Sequence, residues 1–266
     1  MKDRVYDYWQ EDPCGEVYAI GTSQAERLRE QQRARYELEP YIPEFARFPD
    51  GGDRDVLEIG VGMGADHAEW ARVGPRSLTG VDLTPRAIEY TADRLSLLGL
   101  DSALRVADAE GLPFEDDSFD LVYSWGVLHH SPDTHRAIQE VYRVLRPGGV
   151  ARIMVYHRHS LVGLMLYLRY GVLAGKPATS FHDIYARYLE SPGTKAYSPD
   201  EVRNMCAKFT RVDVRTQLSF GDLLLGESGQ RHEGRLLDLG RRLWPRRLLR
   251  RFARGFGLYL LIDAIK

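Results

Sequence analysis

From about residue 55 to residue 155 the chain alternates between short apolar runs and longer stretches of helical period. Asp55–Gly60 is an apolar run entering glycines, Ala65–Val73 has helical spacing, and Ser77–Asp82 is a second strand. Thr84-Pro85 supplies a capping hydroxyl and a proline at the first helical position, opening a helix that runs to about Leu98. A short strand at Ala103–Val106 and a loop through Pro113 lead to a strand at Phe119–Ser124, which the Asp116-Asp117 turn announces. A helix over Thr134–Leu145 stops at Pro147-Gly148-Gly149, and Val150–Tyr156 is again a strand. Strand and helix repeating at this length predict a parallel sheet covered on both faces.

Beyond residue 156 the pattern changes. Leu161, Leu164, Met165, Leu168 and Val172 fall at helical spacing, followed by a loop rich in Ser, Pro and Gly. Ser198-Pro199-Asp200-Glu201 is a capping box with proline in the first turn, so a helix starts there and ends near Phe209. Val212–Leu218 and Leu258–Ile265 read as an antiparallel strand pair closing one edge of the sheet. The first 50 residues hold Tyr6, Tyr8, Trp9, Tyr18, Tyr36 and Tyr41 and predict capping helices over the ligand edge.

Composition narrows the class. With 266 residues, 44% apolar and 28% charged, the chain reads as one globular domain with insertions. Its N-terminus carries acidic residues and no apolar core of a signal peptide, and Leu161–Ala174 is broken by Arg169 and too short to span a bilayer. Cys14 and Cys206 make no disulfide framework. These features predict a cytoplasmic protein. The net charge of −2 is uneven: residues 231–254 hold nine arginines against Glu233 and Asp238, leaving −9 on the first 230 residues. An acidic body argues against nucleic acid as a partner. The basic segment at 241–254, with Arg241, Arg242, Arg246, Arg247, Arg250 and Arg251 interleaved with Leu and Phe, suits peripheral contact with an anionic surface or carrier.

The chemistry is concentrated in the core. Gly60-Val61-Gly62-Met63-Gly64-Ala65 fits both a nicotinamide-type turn and a G-x-G-x-G turn, and Asp82 ends the next strand. Glu58, two residues before the first glycine, suits a ligand with a cationic amino-acid end rather than a pyrophosphate. Further along come Ala107-Asp108-Ala109-Glu110-Gly111-Leu112-Pro113-Phe114, Asp117-Ser118-Phe119-Asp120-Leu121-Val122 and Val127-Leu128-His129-His130-Ser131-Pro132-Asp133, ending at Arg143-Val144-Leu145-Arg146-Pro147-Gly148-Gly149. In this order and spacing residues 53–156 resemble class I S-adenosylmethionine-dependent methyltransferases, within them the small-molecule group that includes the ubiquinone/menaquinone C-methyltransferases.

The resemblance implies an α/β fold: a seven-stranded, mostly parallel Rossmann-like sheet with helices on both faces and an antiparallel C-terminal strand. Residues 1–50 would form a helical cap, 51–156 the cofactor-binding core, 157–211 an acceptor-binding helical insertion, and 212–266 the strand pair with its basic excursion. It implies that S-adenosyl-L-methionine binds with Gly60, Gly62 and Gly64 against its methionine and ribose portion. Asp82 would take the ribose hydroxyls and Leu83 would pack on adenine. Asp108 would accept from the exocyclic amine, and the Ala109 amide would meet a ring nitrogen. Ser124 and Trp125 would lie along the methionine arm, with Glu58 orienting that region.

The expected reaction is methyl transfer to an O, N or C nucleophile of a small-molecule acceptor. Where the acceptor must lose a proton, His129 is the first candidate base and His157 the second, with Tyr156 as a hydrogen-bonding partner. His130 and His159 lie near the same strand ends. No group of His, Asp and Glu has metal-ligand spacing in the linear sequence. Leu161–Leu173 is expected to line or close the acceptor cavity. The alternatives are a cofactor-binding scaffold without turnover and, on the glycine turn alone, a nicotinamide-dependent dehydrogenase. An amino-methylating nucleic-acid enzyme would need an Asn/Asp-Pro-Pro-aromatic motif where this chain has Ser124-Trp125-Gly126-Val127.

Overall fold

Alternate residues of the central strands are buried on opposite faces. Leu57, Ile59, Val122, Ile153 and Val155 pack into one core, while Val56, Leu121, Tyr123, Trp125, Met154 and Tyr156 pack into the other. That period of two, apolar on both sides, is what a sheet covered twice requires. The computed structural model describes residues 2–225 and 244–266. The strands are β1 (Asp55–Ile59), β2 (Ser77–Asp82), β3 (Ala103–Val106), β4 (Phe119–Trp125), β5 (Leu145–Tyr156), β6 (Arg211–Gln217) and β7 (Tyr259–Ile265). They lie in the order β3-β2-β1-β4-β5-β7-β6. Neighbours from β3 to β5 are parallel, and β7 runs antiparallel to both β5 and β6. The seven-stranded, mostly parallel sheet with an antiparallel C-terminal strand is therefore present. Its order reverses between β1 and β4, and ligands bind such sheets at the carboxyl ends of the strands flanking that point.

Three helices precede the sheet: α1 (Lys2–Glu11), α2 (Gln24–Leu38) and α3 (Ile42–Ala46). α4 (Ala65–Arg72), α5 (Pro85–Leu98) and α6 (Thr134–Val144) connect the parallel strands. Thr84 caps α5 through a bond from the Ala87 amide, and Asp133 caps α6 through a bond from Arg136. α7 (Leu161–Tyr167), α8 (Phe181–Tyr188) and α9 (Pro199–Met205) make the insertion, and α10 (Arg246–Phe252) lies in the excursion between β6 and β7. The part of that excursion containing Arg241 and Arg242 lies outside the described residues.

Four expectations need correction. β5 begins at Leu145, not Val150: the carboxyl-terminal backbone supports Pro147-Gly148-Gly149, with the Gly148 amide donating to Lys266 and the Lys266 amide to Gly149. Glycine's positive φ at 148 makes an irregularity within the strand instead of a stop. α8 occupies the stretch expected to be loop. Ser180 accepts from the Asp183 amide, and Ile184 and Tyr185 are buried. α9 stops at Met205, where Cys206 turns in to the core. The helix beginning at Leu161 becomes a π-helical turn from Leu168 to Val172. Cys14 and Cys206 are both free thiols.

Candidate active site

The glycine turn leaves β1 with Gly60 at φ 84° and Gly62 at φ 52°, a region that glycine enters without penalty. A Cβ at Gly60 would lie 2.1 Å from Val127 Cγ2, so the turn packs directly on the segment after β4. A Cβ at Gly62 would meet nothing within 4 Å, and that residue lines the cavity. Here bare backbone faces the ligand space. From the other side Arg94 of α5, almost fully buried, donates to the Met63 and Leu28 carbonyls and clamps the turn to the capping helix α2.

Asp82, at the end of β2, is held in place by three donors. Its Oδ2 accepts from the Gly62 amide at 3.1 Å, and its Oδ1 accepts from the Thr84 amide and hydroxyl at 3.0 Å each. Burial pushes its pKa up, and the Thr84 and Gly62 amides oppose that rise. A carboxylate fixed this way at a strand end lines the cavity as a pre-oriented acceptor, the kind of group that suits ribose hydroxyls.

Glu58 has a partner that the sequence reading missed. His67 of α4, fully buried, places Nδ1 2.9 Å from Glu58 Oε2 and Nε2 2.7 Å from Ser102 Oγ. The Ser102 hydroxyl donates its single proton to the Leu78 carbonyl, so it accepts from His67 Nε2–H. In a neutral imidazole Nδ1 is then the acceptor, which makes Glu58 the donor. Desolvation supports this assignment, raising Glu58 well above the usual carboxyl range and lowering His67 to about 3. Glu58 lines the cavity as a protonated acid committed to His67, not as the free carboxylate expected for a cationic amino group.

Two further ion pairs bring the N-terminal cap onto the cavity. Arg35 of α2 donates to both oxygens of Asp66, which also accepts from the Tyr36 and Tyr123 hydroxyls. Burial raises the Asp66 pKa, but Arg35 and the two hydroxyls outweigh it and hold the group below the usual range. Lys2 of α1 donates to Asp108 and, at 3.0 Å, to Glu110. Asp108, the aspartate expected at the adenine, is thereby closed over by the first helix. Leu83 and Ala109 line the same end of the cavity.

The opposite end is walled by Trp9, Trp125, Phe220, Tyr156 and Tyr259, with Cys14 beside them. Of the six aromatics singled out near the N-terminus, Trp9 alone lines the cavity. Glu190 is one of the polar groups here: its Oε2 accepts from the Tyr156 hydroxyl at 2.6 Å and lies 3.4 Å from His130 Nε2. His130 Nδ1 is held by the Ser191 and Thr194 hydroxyls at 2.8 and 3.2 Å. The whole cavity encloses about 1480 Å³ with its open mouth included.

Several expected site residues stand elsewhere. Ser124 is fully buried behind β1, donating to the Ile59 carbonyl at 3.0 Å, and does not line the cavity. His129 is fully buried beneath Tyr156, with ring centroids 4.0 Å apart, and neither ring nitrogen has a hydrogen-bond partner. Burial lowers its pKa far below the ordinary histidine value, and it does not reach the cavity wall. His157 faces away, its Nδ1 against the Gly257 carbonyl at 3.0 Å, and His159 is exposed outside the cavity. Leu161–Leu173 contributes nothing to the lining. The fold also supplies a spacing the linear sequence lacked: ligand atoms of His129, His130 and Glu190 lie within 4.8 Å of one another, a group a divalent cation could bridge.

Residues 57–153 match the family described as Methyltransferase domain. Over 101 residues the chain is 43% identical to the probable phthiotriol/phenolphthiotriol dimycocerosates methyltransferase 2 of Mycobacterium ulcerans, covering 38% of each protein. Over 100 residues it is 38% identical to the 27-O-demethylrifamycin SV methyltransferase of Amycolatopsis mediterranei, covering 37% of this chain and 36% of the relative. The matches therefore span less than two fifths of those curated relatives. Among solved structures, a phosphoethanolamine N-methyltransferase 2 of Haemonchus contortus superposes with a TM-score of 0.62 at 20% identity. That likeness covers 98% of this chain and 60% of the other, which holds phosphomonomethylethanolamine and S-adenosylhomocysteine. Residues 57–153 thus match a methyltransferase domain, and the fold around them is one that solved methyltransferases share.

Proposed function

We propose that this chain transfers the methyl group of S-adenosylmethionine to an O, N or C nucleophile of a small, lipid-like or natural-product acceptor. One observation carries the reading: a single cavity joins the open glycine turn and fixed Asp82 carboxylate to a separate aromatic-walled end holding Glu190. The cofactor supplies a methyl already activated on a sulfonium. The chain's own residues must therefore hold the cofactor, align the acceptor and exclude water. Alignment alone is worth roughly 7–11 kcal/mol of barrier.

In this reading Gly60, Gly62 and Gly64 pass the backbone against the methionine and ribose, and Asp82 accepts from both ribose hydroxyls. Leu83 packs on adenine, and Asp108 and the Ala109 amide read its edge beneath Lys2. At the other end Glu190, oriented by the Tyr156 hydroxyl, takes the proton from an acceptor that must lose one, and His130 stands behind it. His129 and His157 are withdrawn from that role because both lie off the cavity. The likeness to ubiquinone/menaquinone C-methyltransferases bears on the cofactor half, since the cap and residues 157–257 match that group only loosely. The names of the two bacterial relatives give phthiotriol dimycocerosates and a rifamycin as what they act on, which supports a lipid-like or natural-product acceptor.

Release of S-adenosylhomocysteine against a panel of apolar alcohols, phenols and amines tests the reading. Glu190→Gln should lower kcat by about 10²–10⁴-fold with cofactor affinity unchanged. A rate that a chelator abolishes would assign Glu190, His130 and His129 to a cation instead. Tight cofactor binding with no turnover on any acceptor favours the scaffold alternative.

A further inference from the structure

Among the described residues twelve large apolar side chains are exposed, and seven of them fall in two short stretches. One holds Leu164, Leu168, Val172 and Leu173; the other holds Leu248, Phe252 and Phe256. Within each stretch the spacing is mostly four residues, which stacks side chains along one side of a helical segment. Leu173 and Phe252 are 73% and 69% exposed, too open to be core residues caught at an edge. Isolated exposed leucines need no explanation, but clusters of this kind mark surfaces that meet something apolar.

The two stretches are tied to one point. The buried Asp222 carboxylate accepts from the Val162 amide at the start of α7 and from the Leu258 amide just after Phe256. Its carbonyl accepts from Trp244 Nε1 immediately before α10. Leu258 leads into β7, whose first residue, Tyr259, pairs with Tyr156 at the carboxyl end of β5. Tyr156, Tyr259 and nearby Phe220 line the acceptor end of the cavity. Asp222 thus ties both apolar stretches to the strand end that lines the acceptor end of the cavity.

Charge identifies what covers them. Residues 161–182 contain Arg169 and Lys176, and residues 244–262 contain five arginines; neither stretch has an Asp or Glu. The net charge of −2 is therefore +7 on these stretches and −9 on the rest. Arg247, Arg250, Arg251 and Arg254 are exposed beside the apolar side chains. A second copy of the chain would meet this face with the same seven cations, so pairing by twofold symmetry is repulsive. No helix among the described residues is long and apolar enough to cross a membrane.

We propose that α7 with its π-helical turn and α10 with the residues through Phe256 form one docking face for an anionic lipid bilayer. The leucines and phenylalanines enter the acyl boundary while the arginines remain among the headgroups. This seating brings the acceptor end of the cavity towards the lipid, the phase in which an apolar acceptor would be dissolved. Docking itself does not depend on the methyl-transfer reading.

Flotation of the full chain with phosphatidylcholine vesicles, with and without phosphatidylglycerol, tests the proposal. Binding should require the anionic lipid and weaken as salt is raised. Arg247→Gln, Arg250→Gln and Arg251→Gln together should weaken it on the order of 100-fold, at about 1 kcal/mol for each cation near the surface. Phe252→Ser with Phe256→Ser should weaken binding while leaving the residual salt dependence. All these side chains are exposed, so unfolding midpoints and cofactor affinity should match the parent protein, which separates lost docking from a failed cofactor site. Absence of binding at low salt, or equal binding without phosphatidylglycerol, overturns the proposal. So does sedimentation showing that the phenylalanine variant converts a dimer to a monomer.

Discussion

Alanine at Gly60 perturbs the cofactor turn in a way whose cost is readable from the geometry. The new Cβ would stand 2.1 Å from Val127 Cγ2 and 2.9 Å from its Cβ and Cγ1. The backbone at φ 84° is also one that alanine adopts only under strain. Left-handed backbone costs roughly 1–2 kcal/mol, and overpacking against a side chain that cannot withdraw costs about 1–3 kcal/mol. Gly60→Ala should therefore destabilise by about 2–5 kcal/mol, read as a fall in the denaturation midpoint. Pairing it with Val127→Ala removes the two Cγ contacts, so a double-mutant cycle should return a coupling of about 1–3 kcal/mol, the overpacking share. Gly62→Ala reverses the pattern. Nothing lies within 4 Å of its Cβ, so it should cost only roughly 1–2 kcal/mol of backbone strain, yet lose at least about tenfold in cofactor affinity because the methyl enters ligand space. A Gly60→Ala protein as stable as its parent, or a cycle with no coupling, refutes this account of the turn.

Two further expectations concern buried polar groups. Between pH 6.5 and 4.5 the unfolded chain carries the His67 proton, whereas the folded chain carries one on Glu58, so this pair adds no slope to stability. Glu58→Gln leaves only the depressed histidine, so the unfolded state alone binds the proton and stability should fall by about 1.4 kcal/mol per pH unit on acidification through that window; urea titrations at several pH values with an unchanged slope would remove the neutral-pair assignment. Asp222→Ala strands the Val162, Ser219 and Leu258 amides in the interior and should cost about 3–5 kcal/mol, checked by denaturant unfolding.

The core was legible because its signals are local. Thr84-Pro85, Asp116-Asp117 and the period-two apolar runs each state their own structure, and β3 falls on the expected residues. Where the sequence misled, a distant partner decided. Pro147-Gly148-Gly149 reads as a stop, but Lys266 pairs with it. Ser180 and Asp183 carry a capping pattern that the surrounding Pro, Ser and Gly obscured. Neighbouring His129 and His130 are equivalent on paper; a short 3₁₀ turn buries both and brings His130 alone to the cavity lining. Glu190 is sixty residues from His130, and His67 lies on the helix after the turn that Glu58 precedes, so neither partnership leaves a trace in spacing.

The methyl transfer proposed for this chain begins with a cofactor seat built around Asp82. Isothermal titration of the purified protein with S-adenosylmethionine and with S-adenosylhomocysteine should give saturable heat for both. Asp82→Ala should weaken each by about 10²–10⁴-fold, the loss of two hydrogen bonds to a charged group at about 1.5–3 kcal/mol apiece. No heat from the folded parent protein, or an Asp82→Ala variant that binds as the parent does, contradicts the account.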